Sequence, residues 1–420
     1  MRFEMLIRNA LERVNMSDII ALDVSKGHSY CVYYKDGVCD AEFDFKHNKP
    51  GFDRLRATVD CAKNPTFYFE ATGVYSRPIE RFCRDGNIPY ALLNPLELHL
   101  KTENLRRVKT DNKDAHRIAM SAYDCGYRLM AFQDSKYLKL RELCRFYERI
   151  EDSRKSNQVQ LHTELQQTFP ELEQLFVNRT SKLALNIINL FPHPDFVRGL
   201  SRTKLKNILL NKTEKNISKD RALKYAQKLI NFTQNSCPAS RSDDIQIQEV
   251  RYYTQRIIDL TVKKEELIKQ MTQLGKELPA FDIISSMPGI GEMSAAMLLG
   301  EIGDFTRFGN SNQLNAYVGI DLIRYQSGQY TRDDHINKRG NSKARSLLFL
   351  IVRNMLRQQS CAPNHIVDYY YRLKKQPVPK GDKVAVVACM NKTLKCLFSM
   401  IKNKTKYVYT YTDSRSTEMH

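Results

Sequence analysis

Acidic residues are in short supply: 47 Asp and Glu stand against 66 Lys and Arg in 420 residues, leaving a formal charge of +19 and a pI near 9.4. That balance points to a polyanionic partner, nucleic acid first. Long apolar runs are missing too. No stretch approaches the roughly 18 uninterrupted apolar residues that span a bilayer. Arg2, Glu4 and Arg8 interrupt any signal-peptide core. A soluble, cytoplasmic protein without a membrane partner is expected. The ten cysteines stand singly at 31, 39, 61, 83, 125, 144, 237, 361, 389 and 396, with no C-x-x-C pair among them. They read as buried, reduced thiols, and with the zinc-ligand spacings absent any metal is expected on oxygen ligands.

What is present is globular. Hydrophobic residues at 42% and charged residues at 27% exclude wholesale disorder. At roughly 150 residues per domain the length allows two or three units, each able to bury its own core.

The pattern predicts an α/β unit followed by mostly α structure. Strands are expected over Ile19–Val24, Tyr30–Tyr34 and Cys39–Phe45, with a turn at Lys35-Asp36-Gly37. A helix over 51–63, a strand over 66–71, a helix over 76–86, a strand over 89–93 and helices towards Tyr127 follow, which makes a mixed sheet flanked by helices. Long helices are expected over 135–169 and 243–278. The second keeps a heptad seam of Val250, Tyr253, Ile257, Leu260, Lys264, Leu267, Met271 and Leu274. Such an arm either pairs between chains or packs on its own domain, and Lys264 in the seam weakens a dry dimer. The expected divisions are an N-terminal extension over 1–16, a metal-binding domain over 17–132, helical coiled-coil arms with a loop insertion over 133–280, a C-terminal domain over 281–404 and a flexible tail over 405–420.

Carboxylates carry the first chemical signal. Asp23 closes the run Ile19-Ile20-Ala21-Leu22, and Glu70 closes Phe67-Tyr68-Phe69, so each acid ends a strand that otherwise reads as buried. Ligands gather at the carboxyl ends of strands in helix-flanked sheets. A strand-end ion pair is the plainer alternative. Asp111 and Asp114 stand three apart at the start of a helix, which puts them on one face. Alone they would serve as caps and complements to the helix dipole. Together, four acids in a basic protein suit a hard dication such as Mg²⁺, or Mn²⁺, and phosphoryl transfer on nucleic acid.

Further along, Ser286-Met287-Pro288-Gly289-Ile290-Gly291-Glu292 reads as a helix-hairpin-helix, whose Gly289 and Gly291 would let backbone approach a phosphate. A plain glycine turn between packed helices is the alternative. Tyr325-Gln326-Ser327-Gly328-Gln329-Tyr330 reads as a hairpin, followed by Ile336-Asn337-Lys338-Arg339-Gly340-Asn341 and a helix with Lys343 and Arg345.

Three segments then bring a family into view. Ala21-Leu22-Asp23-Val24-Ser25-Lys26, Glu70-Ala71-Thr72-Gly73-Val74-Tyr75, and Val108-Lys109-Thr110-Asp111 with Asp114-Ala115 resemble, in order and spacing, the signature of the DEDD transposases of insertion sequences, relatives of the pilin-gene invertases. The resemblance implies an RNase H-like, RuvC-type N-terminal domain whose metal ligands are Asp23, Glu70, Asp111 and Asp114. It also implies that the unit from 281 is the family's C-terminal transposase domain. There the serine of a Gln-Ser-Gly segment is the nucleophile, here Ser327, with a Lys-Arg-Gly-Asn box downstream. Lys338, Arg339, Lys343 and Arg345 would meet phosphate. No catalytic histidine of the family matches His335, which is therefore not taken as a base.

The expected protein is a DNA transposase or recombinase of an insertion sequence that cleaves and exchanges strands through a phosphoserine-DNA link. Donor and target DNA, a structured noncoding guide RNA and a homodimer or homotetramer are the implied partners, the metal domain of one protomer working with the serine domain of another. Two rivals remain: a RuvC-like nuclease or junction resolvase with water as nucleophile, and a non-enzymatic nucleic-acid-binding protein.

Overall fold

The structure, a computed structural model, describes residues 18–93, 111–124, 127, 129–130, 133–213, 217–323, 326–327, 330–331 and 335–409; at 111, 124, 326, 327, 330 and 331 it describes backbone alone. The expected extension over 1–16, any helix over 94–110 and the tail from 410 lie outside the described residues. Two compact units meet in sequence at 132/133.

The first unit is built on a five-stranded sheet. Its strands are β1 (Ile19–Ser25), β2 (His28–Lys35), β3 (Val38–Lys46), β4 (Thr66–Glu70) and β5 (Tyr90–Leu93), in the order β3-β2-β1-β4-β5. β1, β2 and β3 form an antiparallel meander, whereas β4 runs parallel to β1 and β5 parallel to β4. Helices α1 (Lys49–Cys61) and α2 (Arg77–Asp85) cover one face, and α3 (Asp111–Asp124) covers the other. The nearly unbroken apolar text of β1 follows from this sandwiching. Ile20, Leu22 and Val24 pack with Leu55, Ile79 and Cys83, while Ile19 and Ala21 pack with Ala115, Ile118, Ala119 and Ala122.

The second unit opens with α4 (Ser135–Thr168), α5 (Lys182–Leu190), α6 (Arg202–Lys212), α7 (Lys219–Asn235) and α8 (Ile245–Lys276). α4 and α8 pack antiparallel along their lengths: Leu140 and Cys144 share a core with Met271, and Leu161 and Leu165 share another with Val250 and Ile257. The heptad seam of α8 is thus spent inside the chain. Of the two alternatives left open for it, the seam takes packing within its own unit. Lys264 sits there because Glu151 accepts its ammonium at 2.9 Å, beside the Tyr147 ring. The far end of the arm carries α5, α6 and α7 on its own core.

At the base, α9 (Phe281–Ser285), α10 (Glu292–Ile302), α11 (Ser311–Val318), α12 (Ser342–Arg357), α13 (His365–Lys374) and α14 (Asp382–Lys402) share the core containing Leu140 and Met271. Between α11 and α12 lie two short ladders, β6 (Leu322–Ile323) with β9 (His335–Ile336), and β7 (Gln326–Ser327) with β8 (Tyr330–Thr331). α14 is long and apolar enough to cross a membrane by length and composition. Its apolar side is accounted for by this core, where Val386, Cys389, Leu394 and Leu397 are buried.

Two expectations need correction. Cys39, Cys61, Cys237 and Cys361 are exposed, because they sit on an edge strand, a helix end and loops; Cys31, Cys83, Cys144 and Cys389 are buried as expected. The looseness expected from Thr405 does not hold for its first residues. Tyr407 N–H donates to Ser286 Oγ at 2.9 Å, and Tyr407 Oη accepts from His365 N–H at 2.9 Å.

Glu151 gives a pH-dependent prediction. Hydrogen bonding from Arg154, and then from Lys264, outweighs its burial and brings its carboxyl from 4.5 down to about 2. The folded group binds its proton more weakly than the unfolded one. Its stabilisation is therefore complete above pH 4.5 and lost as the pH falls through about 2. Glu151→Gln is expected to remove on the order of 1–3 kcal/mol at neutral pH and to flatten the stability profile in that acid window, measured by urea unfolding against pH.

Candidate functional site

Strand alternation decides which face each acid occupies. Ile19, Ala21 and Asp23 share the face under α3, and so do Tyr68 and Glu70 on β4. The parallel register pairs Leu22 with Phe69, so one step further sets Asp23 beside Glu70. Neighbouring strands lie about 4.8 Å apart. Both acids are partly buried at the carboxyl end of the sheet.

α3 brings its first turn to the same place. Near its head, Asn112 Nδ2 donates to Tyr30 Oη at 2.9 Å, and Tyr30 is the cross-strand partner of Asp23. Towards its other end, Tyr123 Oη accepts from Gly37 N–H in the β2–β3 turn. The helix therefore runs antiparallel to β1, with Asp111 and Asp114 at the end of the sheet where Asp23 and Glu70 lie. Ala115, Ile118, Ala119 and Ala122 form the stripe that holds it down. Asp114 is 24% exposed and accepts from Arg117 at 3.0 Å. For Asp111 the backbone position alone is described.

Asp18, which sequence reasoning passed over, shows what a structural acid looks like here. It is 5% exposed and accepts from Tyr33 Oη at 2.6 Å and from Lys63 N–H at 2.7 Å, pinning the start of β1 to the α1–β4 loop. Its partners are at the opposite end of the sheet from Asp23.

In the second unit Ser327 lies on β7, paired with Tyr330 on β8, which is the expected hairpin; Gly328 and Gln329 lie outside the described residues. The box downstream docks on the end of α11. Asn337 N–H donates to Asp321 O and Lys338 N–H to Gly319 O. Gly340 comes so close that a Cβ there would meet Tyr317 O at 2.3 Å. Lys338 and Arg339 are exposed. Lys343 is ion-paired with Glu148, and Arg345 donates to Val318 O at 2.8 Å, so these two cations already serve the fold.

A buried network supports the box. Glu301 is 1% exposed, accepts from Arg145 Nε at 3.1 Å and from Asn341 Nδ2 at 2.9 Å, while Asn341 Oδ1 caps α12 by accepting from Lys343 and Ala344 N–H. The hydrogen bond to Glu301 raises the Arg145 pKa. Glu301 is the one acid in the otherwise apolar stretch from Ala295 to the end of α10, and sequence reasoning passed over it.

The glycine hairpin forms between α9 and α10. Gly289 has φ of +87°, and its open side faces Met355 of α12, so it is required by the protein's own packing. Gly291 precedes α10 with open space around it. Glu292 occupies the first turn of α10 and is paired with Lys276 at 2.7 Å.

The arm adds a basic surface. α6 and α7 together carry eight Lys and Arg against one acid, with Lys204, Lys212, Lys219, Arg221, Lys224 and Lys228 exposed.

Comparisons with known proteins match both parts of the chain. A transposase model of the DEDD, IS110 type matches residues 20–170, and one described as the transposase IS116/IS110/IS902 family matches residues 281–366. The chain is 24% identical to an uncharacterised 43.6 kDa protein of insertion element IS110 from Streptomyces coelicolor, over 71% of this chain and 72% of that one. It is 21% identical to the pilin gene-inverting protein of Moraxella bovis, over 86% and 89%. A transposase for insertion sequence element IS1111A from Coxiella burnetii is 29% identical over 30% of this chain and 33% of its own.

The hairpin glycines make separable predictions. Gly289→Ala combines a left-handed φ with a clash on Met355 and is expected to cost about 1–3 kcal/mol. Gly291→Ala is expected to cost under about 1 kcal/mol. Thermal unfolding of the two variants beside the parent checks the order, and equal losses would refute it.

Proposed function

The chain is an IS110-family transposase, a DNA-recombining protein of an insertion element, and we propose that it works by a serine-linked exchange supported by an acidic metal site. The observation that carries this reading is the convergence of Asp23, Glu70 and the first turn of α3 at one end of one sheet face. The strand order β3-β2-β1-β4-β5, with an antiparallel meander and two parallel strands, supports an RNase H-like, RuvC-type domain.

The donor set fits a hard dication. Asp23, Glu70, Asp111 and Asp114 are all oxygen ligands, the preference of Mg²⁺ or Mn²⁺. Two residues beyond Glu70, Thr72 Oγ1 is buried with no hydrogen-bond partner, a polar atom that a hydrated ion's water would satisfy. When bound, the metal would stabilise negative charge on the attacking and leaving oxygens of a phosphodiester. The chain's own acids hold that charge balance at the carboxyl end of the sheet, where α3 and the strands restrict their movement.

Ser327 is the proposed nucleophile. Its Oγ bonds to a DNA phosphorus, the phosphorus bond to one deoxyribose oxygen breaks, and that oxygen departs as a hydroxyl with the proton. The phosphoserine link keeps the bond energy for rejoining. Lys338 and Arg339, exposed beside the hairpin, are the cations suited to the phosphate; Gly291 and the basic face of α6 and α7 are suited to backbone contact without base reading. Such contact serves DNA and a structured guide RNA alike, and if base pairing selects the target the protein needs few base-reading side chains. Four strands handled together imply a dimer or tetramer acting on DNA in the cytoplasm.

Ser327→Ala is expected to abolish a covalent protein-DNA adduct on denaturing gels while DNA binding stays within about threefold. Undiminished cleavage by that variant would leave the hydrolytic nuclease standing. Asp23→Asn with Asp111→Asn is expected to lower strand cleavage in Mg²⁺ at least about 100-fold at unchanged DNA affinity. Recombination at the parental rate would make the four acids structural.

A further inference from the structure

The outer edge of the first unit holds a second cluster of donors, with different chemistry. Cys39 Sγ, a Glu42 carboxylate oxygen and a His116 ring nitrogen all lie within 4.8 Å of one another. None belongs to the four-acid set. The arrangement depends on an irregularity in β3.

Residues three apart on a regular strand point to opposite faces. Between β2 and β3 the register passes from Tyr33 with Ala41 to Tyr34 with Cys39, which leaves Asp40 as an extra residue in a bulge. The bulge returns Cys39 and Glu42 to one face, the face that α3 covers. His116 meets them from α3. Its Nδ1 is hydrogen-bonded to Tyr34 Oη at 2.8 Å, and its Nε2 lies 2.9 Å from Glu42 Oε2.

We propose that Cys39, Glu42 and His116 form a three-ligand site for a soft divalent cation, Zn²⁺ in the first place, which clips the edge strand β3 to α3. Thiolate, imidazole and carboxylate bind zinc at about 2.3, 2.0 and 2.1 Å, so ligand atoms around a tetrahedral ion stand roughly 3.3–3.7 Å apart. The Glu42–His116 separation of 2.9 Å lies just below that range, and the sulfur is within 4.8 Å of both partners. The Glu42–His116 pair opens by a few tenths of an ångström, and rotation about the Cys39 side chain brings the sulfur in. Tyr34 acts as the outer partner that fixes the ring with Nε2 towards the metal. Sulfur and imidazole exclude the preference for Mg²⁺ that the all-oxygen set shows. The fourth position is left to water or another ligand.

A partly exposed Glu42–His116 hydrogen bond alone is the alternative, and it is indifferent to the thiol. Metal binding, in contrast, displaces the Cys39 proton, so affinity falls on acidification. A cation here would also hold α3 two residues from Asp114, without depending on what the four acids do.

The test uses the full chain, stripped with a chelator and titrated with Co²⁺ and then Zn²⁺. One equivalent of Co²⁺ is expected to give a thiolate-to-cobalt charge-transfer band, displaced by Zn²⁺. Cys39→Ser and His116→Gln are expected to weaken binding at least tenfold, whereas Asp23→Asn with Glu70→Gln retains it. In the unmodified protein, Zn²⁺ is expected to slow alkylation of Cys39 and leave the exposed Cys61 unaffected, read by peptide mass spectrometry, a measurement that needs no variant to fold. Absence of the band from the folded parent, its persistence in Cys39→Ser, or alkylation of Cys39 unaffected by Zn²⁺ would overturn the site.

Discussion

The contact between the small-residue stripe of α3 and the inner face of β1 is the constraint on which the chemistry proposed for the first unit depends. Ala115, Ala119 and Ala122 let the helix lie close on Ile19, Ala21 and Val32, and Ile118 fills the remaining space. Burying a side chain such as Ile118 contributes about 2 kcal/mol, and the alanines contribute proximity more than energy. Proximity is what matters, because acids from a strand end and from a helix start share one small volume only if the layers are thin. Larger residues along that stripe would lift the first turn of α3 away from the carboxyl end of the sheet.

In the second unit, buried or half-buried charge performs the equivalent positioning. Glu301 inside the helical core would be costly alone, yet Arg145 from α4 and Asn341 at the head of α12 satisfy it together. The arm, the α10 helix and the segment after the serine hairpin are thereby joined through one carboxylate. Lys264 does the same at lower depth, turning a flaw in the α8 seam into a register mark against Glu151.

Much of this was legible because it is local. The apolar run to Asp23, the turn at Asp36-Gly37 and the alternation of strand and helix placed the sheet within a residue or two, and the heptad of α8 was correctly a packing seam. Its partner was not legible: the same pattern describes a helix that meets another chain and one that meets α4, and only the antiparallel pairing of Leu140 with Met271 distinguishes them. Spacing could not show which side chains meet Cys39 for a related reason. A search for paired thiols sees ligands that one loop supplies, whereas Cys39, Glu42 and His116 meet through a bulge and a helix more than seventy residues further along the chain. Asp18 and Glu301 were missed because an isolated acid leaves no pattern until its partners fold around it.

The precision that the proposed metal site requires gives a reason for α3 to be tied along its length. Displacing a reacting group by about 1 Å can cost on the order of 100-fold in rate. A helix held by apolar contact alone can slide along a sheet, since dispersion is not directional. Asn112 on Tyr30 fixes the head, His116 on Tyr34 and Glu42 fixes the second turn, and Gly37 on Tyr123 fixes the last. Three of these four contacts end on β2 or its turn, the strand that also pairs with β1, so the frame that sets the position of Asp23 sets that of Asp111 and Asp114 as well. Acids delivered by separate elements thus share a single mechanical reference, and a shift of the meander would move them together instead of opening the site.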